Sequence, residues 1–520
     1  MASRSIRGNP RLAMAAVGLA AFMTSLDNTV VNVALPSIQR DLGLSLGGLE
    51  WVASAYVLVF ASLLLAGGRL ADLYGRKRMF LAGTAVFTAA SLVSGLARGE
   101  GVLLAGRVAQ GAGAALAAPT ALAIISAMFP GERERSRAVG AWSGVTALAV
   151  ALAVALGPLA GGFISQHWQW GWIFFINVPL GLLTLALGAA AISESRGHGV
   201  SRSVDLPGLG SATLALAALA YALIQGHQAG WTSPAILACF SAATAAGGVF
   251  AVVESRSAAP MVDLALFRSR VLSGGTATLV LWGFGVLGMY FFTPLYLQVV
   301  LGFSPTRAGL AFVPMALLMA ASATLAPLVS GRAGANRTVA VGMALVAAGL
   351  AATALLGQHA SFAGLMAPLA AVGIGSGLTM PITAAILGVL PQAQAGVAGG
   401  ILNAAREASG LLGVTVIGAI LTARQGAALQ AGATPHAAFL AGYSAGLAAA
   451  AALVLAGGII ALRTLSGRVP AAEVQPPPAA IPAGPRRVPA AAIPAAAALA
   501  APRHPSAQAR PCAEAPGAAA

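Results

Sequence analysis

The chain is 520 residues long, 58% hydrophobic and only 8% charged, with a mean hydropathy of +0.85. Soluble domains carry about 25% charged residues, so this composition excludes an ordinary soluble protein and points to many membrane crossings. The net charge of +15 does not mark a nucleic-acid binder, because the basic residues are scattered through short loops between apolar runs.

A helix needs about 20 apolar residues to cross a bilayer, and the chain offers fourteen such runs. They fall near 12–35, 49–67, 79–97, 102–127, 138–163, 172–192, 207–225, 234–253, 272–297, 307–329, 338–356, 362–387, 398–421 and 438–462. The reading is an all-α, polytopic integral membrane protein. Arg4, Arg7 and Arg11 precede the first run, which is too long for a signal-peptide core and carries Asp27 and Asn32; it is read as a retained helix. With the N-terminus inside, the loop arginines and the one lysine fall on the inner side, except Arg40, Arg98, Arg307 and Arg424. Arg107 and Arg406 lie within spans. That asymmetry follows the positive-inside rule and predicts a multi-pass protein of the cell (inner) membrane with both termini cytoplasmic. From about residue 466 the chain turns to Pro and Ala, and the tail 466–520 is predicted to be disordered.

Two segments about 260 residues apart resemble each other. Gly111-Ala112-Gly113-Ala114-Ala115-Leu116-Ala117-Ala118-Pro119 in the fourth span matches Gly373-Ile374-Gly375-Ser376-Gly377-Leu378-Thr379-Met380-Pro381 in the twelfth. Leu42-Gly43-Leu44-Ser45 likewise matches Leu301-Gly302-Phe303-Ser304. The expected organisation is two six-helix pseudo-repeat bundles plus two inserted helices: a short N-terminus 1–11, a bundle 12–192, a linker 193–271 with spans 7 and 8, a bundle 272–465, and the tail. Repeated halves around a midplane cavity are a transporter architecture.

Asp27 sits inside the first span, at a cost of roughly 2.5–3.5 kcal/mol on insertion scales. Arg107 opens the fourth, and Leu369 takes its place in the second half, so this charge is confined to the N-terminal half. Span 1 runs outward and span 4 inward, which puts both residues in the outer half of the bilayer. A buried pair satisfies both charges, while either alone is expensive. An acid under opposed influences, burial and a neighbouring guanidinium, is an exchange site for protons; a purely structural ion pair is the alternative. In the loop after span 2, Gly68 and Gly75 permit a tight turn, and Asp72, Arg76 and Lys77 form a cluster able to latch the cytoplasmic side shut; a plain positive-inside loop is the equal alternative. In span 5, Gly157-Pro158 opens a kink, and Gly161 and Gly162 allow close helix packing.

These motifs resemble the major facilitator superfamily, in its fourteen-span drug:proton antiporter branch. Gly68-x-x-x-Asp72-x-x-Gly75-Arg76-Lys77-Arg78 is similar to the loop 2–3 signature. Leu26-Asp27-x-Thr29-Val30-Val31-Asn32-Val33-Ala34-Leu35-Pro36 resembles the first-helix signature, Arg107-Val108-Ala109-Gln110-Gly111-x-Gly113 the fourth-helix motif, and Gly157-Pro158-Leu159-Ala160-Gly161-Gly162 the fifth-helix antiporter motif. Trp172 to Gly181 and Pro294 to Gln298 are similar to that branch as well. The family often has a basic residue where Leu73 stands, and the loop Gly331 to Arg337 lacks the acid, so any latch is one-sided. The resemblance implies proton coupling at Asp27 and Arg107, and a role for the span 5 motif in export direction.

The expected function is proton-coupled export of drug-like or toxic small molecules by alternating access, not enzymatic catalysis. Proton-driven uptake and a non-transporting membrane sensor are the rivals. The partners are a lipophilic or cationic small molecule, protons and membrane lipid, with no nucleic acid. Asn32, Gln110, Trp282, Tyr290 and Phe291 are candidate cargo contacts, although aromatics also serve as interfacial anchors. Asn403 and Glu407 share a helix face, while the adjacent Arg406 and Glu407 do not face each other; a structural or gating role is favoured there over cargo binding. Neither a cofactor nor a metal is expected. Cys239 and Cys512 frame no disulfide, the histidines (His167, His198, His227, His359, His436) fall in loops with His504 in the tail, and no phosphate-cradling P-loop is present.

Overall fold

The computed structural model describes residues 8–129, 131–196, 206–257, 264–388 and 395–465. The first part of the chain forms α1 (Pro10–Leu42), α2 (Leu46–Tyr74), α3 (Arg76–Gly95), α4 (Glu100–Ala127), α5 (Glu132–His167), the short α6 (Trp172–Phe175) and α7 (Asn177–Ala191). Next come α8 (Leu206–Ala229) and α9 (Pro234–Arg256). The remainder is α10 (Arg270–Leu295), α11 (Pro305–Ala333), α12 (Ala335–Ala354), α13 (Phe362–Leu378), α14 (Pro381–Gly388), α15 (Ala395–Gln430) and α16 (Pro435–Thr464). Among the described residues, fourteen stretches are long and apolar enough to cross a membrane. The sixth is built from α6 and α7 and the twelfth from α13 and α14. The predicted tail 466–520, residues 1–7, and 197–205 and 258–263 of the linker lie outside the described residues.

Most helices outrun the apolar runs that signal them, because capping continues the helix into polar sequence. Asn9 caps α1 by accepting from the Arg11 amide at 3.1 Å. This extension also corrects the histidines: His167 ends α5, His227 lies in α8 and His436 in α16.

The internal repeat is visible in the backbone. Gly43 and Gly302 both adopt the left-handed conformation, with φ of 64° and 66°. Two residues on, Ser45 and Ser304 accept the amides of Gly48 (3.1 Å) and Arg307 (3.3 Å) as the N-caps of α2 and α11. Gly75 and Gly334 (φ 114° and 88°) form the matching turns into α3 and α12. Packing repeats as well. Gly111 of α4 abuts the Tyr56 carbonyl of α2, and Gly373 of α13 abuts the Met315 carbonyl of α11. Gly113 meets Gly83 of α3 as Gly375 meets Gly342 of α12. The helix pairs α1–α5, α2–α4, α3–α4 and α3–α7 have their counterparts in α10–α15, α11–α13, α12–α13 and α12–α16. The halves differ at the matched prolines. Pro119 sits inside α4, whereas α13 stops at Leu378 and Pro381 starts α14.

The end of the bundle where α1 begins is termed the start face, and the opposite end the far face. The two halves meet through α5–α11 and α2–α15, and the contacts between them gather toward the far face. Gly162 abuts Pro305, and Gly309 abuts Pro158. The Thr306 amide donates to Gln166 Oε1 at 3.2 Å, and Gln298 Nε2 donates to the Val33 carbonyl at 2.8 Å. Gly418 of α15 leaves room for the carboxylate of Glu50, which is only 2% exposed.

Candidate functional site

The charged centre is assembled by five helices of the N-terminal half. Glycines bring α4 close: a Cβ at Gly111 or Gly113 would strike the backbone of α2 or of α3. This approach drives Arg107 and Gln110, one turn apart on the same face of α4, against Asp27 of α1. Asp27 is 0% exposed and Arg107 1%. Arg107 Nη1 donates to Asp27 Oδ2 at 2.5 Å and to Gln110 Oε1 at 3.0 Å, while its Nε donates to the Val52 carbonyl of α2 at 2.9 Å. Gln110 Nε2 donates to Asp27 Oδ1 at 2.9 Å and to Ser91 Oγ of α3 at 2.8 Å. Asn177, first residue of α7, donates from Nδ2 to Asp27 Oδ1 at 2.8 Å. The guanidinium carbon lies 4.6 Å from the Tyr56 ring centroid and 6.0 Å from that of Phe174.

This arrangement pays the desolvation of a buried acid with one cation and two amide donors. It is also able to change state. An ionised carboxylate only accepts, and a proton on it creates a donor that needs an acceptor. Asn177 Oδ1 is buried with no partner, so a turn of that amide supplies one.

The sequence brings Asp27 and Arg107 together as expected, and the structure adds Ser91, Tyr56, the Val52 carbonyl and Asn177. Only Asn177 has a sequence signal, a lone amide in an apolar run beside Pro179; the others are ordinary span residues until the packing is known. Gln110, a candidate cargo contact, is 0% exposed and spends its amide inside the cluster. Asn32 is partly exposed on α1. In the second half, Trp282 Nε1 donates to Ser376 Oγ at 3.2 Å. Tyr290 stacks on Phe312 with centroids 5.2 Å apart, its hydroxyl buried without a partner. Phe291 packs edge-on against Phe292 at 4.7 Å. Trp282, Tyr290 and Phe291 are all buried, so these aromatics are packed interior in this conformation, not an open wall.

The loop 2–3 residues tie together elements of their own half. Gly68 lies within α2, against Pro119 of α4. Arg76 pairs with Asp72 at 2.8 Å and donates to the Ala123 carbonyl of α4 at 3.2 Å. Lys77 Nζ donates to the Ala189 carbonyl of α7 at 2.7 Å. Glu194, a residue the sequence does not single out, accepts the amides of Lys77 (3.1 Å) and Arg78 (3.2 Å) and so caps α3. An acid beyond α7 near an uncapped, basic helix start was the available cue.

The span 5 residues form a three-helix contact. Gly157 and Gly161 abut Thr29 and Val30 of α1, while Pro158 and Gly162 meet α11. Thr29 Oγ1 also donates to the Ala153 carbonyl at 3.0 Å, tying α1 to α5 a turn before Pro158. Among the described residues no three His, Cys, Asp or Glu side chains converge as a metal site.

A family model described as Major Facilitator Superfamily matches residues 17–414. Multidrug resistance protein Stp of Mycobacterium tuberculosis (strain CDC 1551 / Oshkosh) is 37% identical over 429 residues, covering 82% of this chain and 78% of that protein. The tetracenomycin C resistance and export protein of Streptomyces glaucescens is 35% identical over 422 residues, covering 81% and 78%. Puromycin resistance protein pur8 of Streptomyces alboniger is 34% identical over 478 residues, covering 90% and 93%. Among solved structures, the POT family transporter PepTSo aligns with a TM-score of 0.65 at 15% identity, over 88% of this chain and 98% of that one. A bacterial homolog to the human lysosomal transporter Spinster gives 0.63 at 16%, over 89% and 98%. Likeness at that identity speaks to the fold.

Proposed function

The chain belongs to the Major Facilitator Superfamily, and on that premise we propose that it exports drug-like or antibiotic small molecules from the cytoplasm in exchange for protons. The relatives named for multidrug resistance and for antibiotic resistance and export support the cargo class and the direction. The observation that carries the proton coupling is the sealed Asp27 carboxylate, held by Arg107, Gln110 and Asn177.

The mechanism follows from the charge balance. Ionised Asp27 neutralises Arg107 and clamps α1 to α4. A proton on Asp27 cancels that attraction and leaves a guanidinium held only by neutral acceptors, so the two helices are released to shift. Proton loss restores the clamp. The positive-inside rule applied to the basic loops supports a cytoplasmic start face, and on this proposal the protein sits in the inner membrane with both termini inside. The far face, where the halves meet, is then the outer gate, closed in this conformation, and cargo enters from the cytoplasm. The bundles 12–192 and 272–465 rock about the α5–α11 and α2–α15 contacts, with 193–271 between them and lipid around them. Asp72, Arg76 and Lys77 fasten the N-terminal bundle at its cytoplasmic edge.

The test is accumulation of ethidium and puromycin in everted membrane vesicles with an acid interior. Wild-type vesicles accumulate one or both, and Asp27→Asn vesicles with equal protein content do not. Wild-type accumulation by Asp27→Asn contradicts the proposal.

A further inference from the structure

Glu50 stands where the two halves meet, toward the far face. Its carboxylate rests on Gly418 of α15, and the absent side chain there is what admits it: a Cβ at Gly418 would strike Oε1 and lie 2.6 Å from Cδ. The residue is 2% exposed. Leu58, two turns deeper on the same face of α2, clusters with Leu411 of α15, so the two helices run antiparallel along this seam. Ser54 lies between Glu50 and Leu58 on that face, and its hydroxyl is buried without a partner.

Among the described residues no Lys, Arg or His nitrogen lies within ion-pair distance of Glu50. Leu46 opens α2, so Glu50 is past the first turn, where free amides and the helix dipole fade. On the helices packed against α2, the charged residues of this end are exposed: Arg40 and Asp41 of α1, Glu100 of α4 beside Gly48, and Arg424 of α15, with Arg98 in the turn before α4. On α8, His227 follows the Tyr221 whose ring meets Trp51. Arg69 and Asp72 of α2, and Arg76, Lys77 and Arg78 of α3, belong to the opposite end. Arg406 and Glu407 lie about three turns deeper on α15, and Asp27 and Arg107 are paired with each other. An ionised carboxylate sealed in a membrane protein without a counter-charge is costly. The closed seam therefore holds Glu50 in its neutral form.

We propose that Glu50 is a second proton-carrying acid, set at the outer gate: the far face closes when its carboxyl takes a proton from the outer medium, and opens when it gives that proton back. It rests on the export reading only for which face is the outer one. Parting α2 from Gly418 brings water to Glu50, and a hydrated glutamic acid ionises near pH of about 4.3. Above that pH the closed form binds a proton that the open form has released. Acid thus favours closure, and rising pH favours opening by up to about tenfold per unit. Below about pH 4.3 both forms keep the proton and the dependence ends. The proton returns to the side it came from, so Glu50 adds nothing to the net exchange at Asp27. It times the gate: an outer medium acid enough to load Asp27 also shuts the far face behind it.

Distances across the far face test this without transport. Full-length protein with Cys239→Ser and Cys512→Ser carries nitroxides at Leu96→Cys and Leu355→Cys, exposed positions just past α3 and α12 in opposite halves. Pulsed electron resonance in lipid nanodiscs gives the ratio of open to closed molecules between about pH 5 and about pH 8, above the ordinary glutamate value. That ratio rises with pH in wild type, by about tenfold per unit at its steepest, and rises likewise in Asp27→Asn. Glu50→Gln holds the closed distance throughout, while Glu50→Asp keeps the rise. A wild-type ratio that ignores pH overturns the proposal. So does a rise that survives Glu50→Gln, or one that vanishes with Asp27→Asn. A further variant leaves the acid in place: Gly418→Ala fills its seat, so the closed fraction falls at every pH, and closure as complete as in wild type overturns the proposal too. The predicted pH response alongside failed vesicle export would strike the export reading alone.

Discussion

Replacing Arg107 by Leu isolates what the buried pair contributes. Leucine fits a helix at this place, since Leu369 holds the matching position in the second half and is 0% exposed. The substitution leaves Asp27 buried, with its two amide donors but no cation, and removes the side-chain donor to the Val52 carbonyl. Breaking a buried pair from one side costs about 3–5 kcal/mol, a range that takes in the guanidinium's lost bond to the Val52 carbonyl. Arg107→Leu should therefore destabilise the folded protein by about 3–5 kcal/mol. In Asp27→Asn/Arg107→Leu no buried charge is stranded, so the cost should fall to about 1–2 kcal/mol. The double-mutant cycle then carries a coupling energy of about 2 kcal/mol or more. Reversible unfolding in mixed micelles of all four proteins measures it. A single mutant within about 0.5 kcal/mol of wild type, or four values that simply add, would refute the claim that these two groups support each other.

Four further substitutions probe other links. Asn177→Ala removes one charge-assisted bond to Asp27 and should cost about 1.5–3 kcal/mol in the same unfolding assay. Gly111→Val drives side-chain atoms into the Tyr56 carbonyl and Phe60 amide; the expected loss is about 1–3 kcal/mol, read as reduced yield of monodisperse protein. Glu194→Ala uncaps α3, should cost about 0.5–2 kcal/mol, and should speed amide hydrogen exchange at Lys77 and Arg78 specifically. Gly309→Leu cannot pack on the Pro158 carbonyl, so the far face should close less completely. A cysteine at Thr306, with Cys239 and Cys512 changed to Ser, should then react several-fold faster with an impermeant maleimide.

The fold was legible because its causes are local. Apolar length marks each span, and Gly43-x-Ser45 and Gly302-x-Ser304 carry the same turn and cap twice. Asp27 and Arg107 were legible because an ionised group inside an apolar run has few physical solutions. The sequence lacks what depends on a third helix. The Ile176 junction between α6 and α7 reads as one continuous apolar span, yet it puts Asn177 at a helix start beside Asp27. Gln110 looks like a cavity residue by type and is enclosed only because Ser91 of α3 and Asp27 of α1 both reach its amide. The loop 2–3 cluster reads as a free latch until Glu194, more than a hundred residues later, is found against its amides. Seam contacts such as Gly418 with Glu50 pair residues that no spacing relates. Trp282, Tyr290 and Phe291 look like cavity aromatics by type, and their burial depends on how the second half closes on itself.

The most direct test of the central claim follows cargo and protons together in proteoliposomes, with an internal pH dye and a fluorescent cargo such as ethidium. Wild type should move protons in as cargo moves out, at a fixed ratio, while Asp27→Asn should still exchange cargo for cargo with no linked proton flux. Proton flux that stays locked to cargo after Asp27 has lost its acid would place the exchange elsewhere in the molecule.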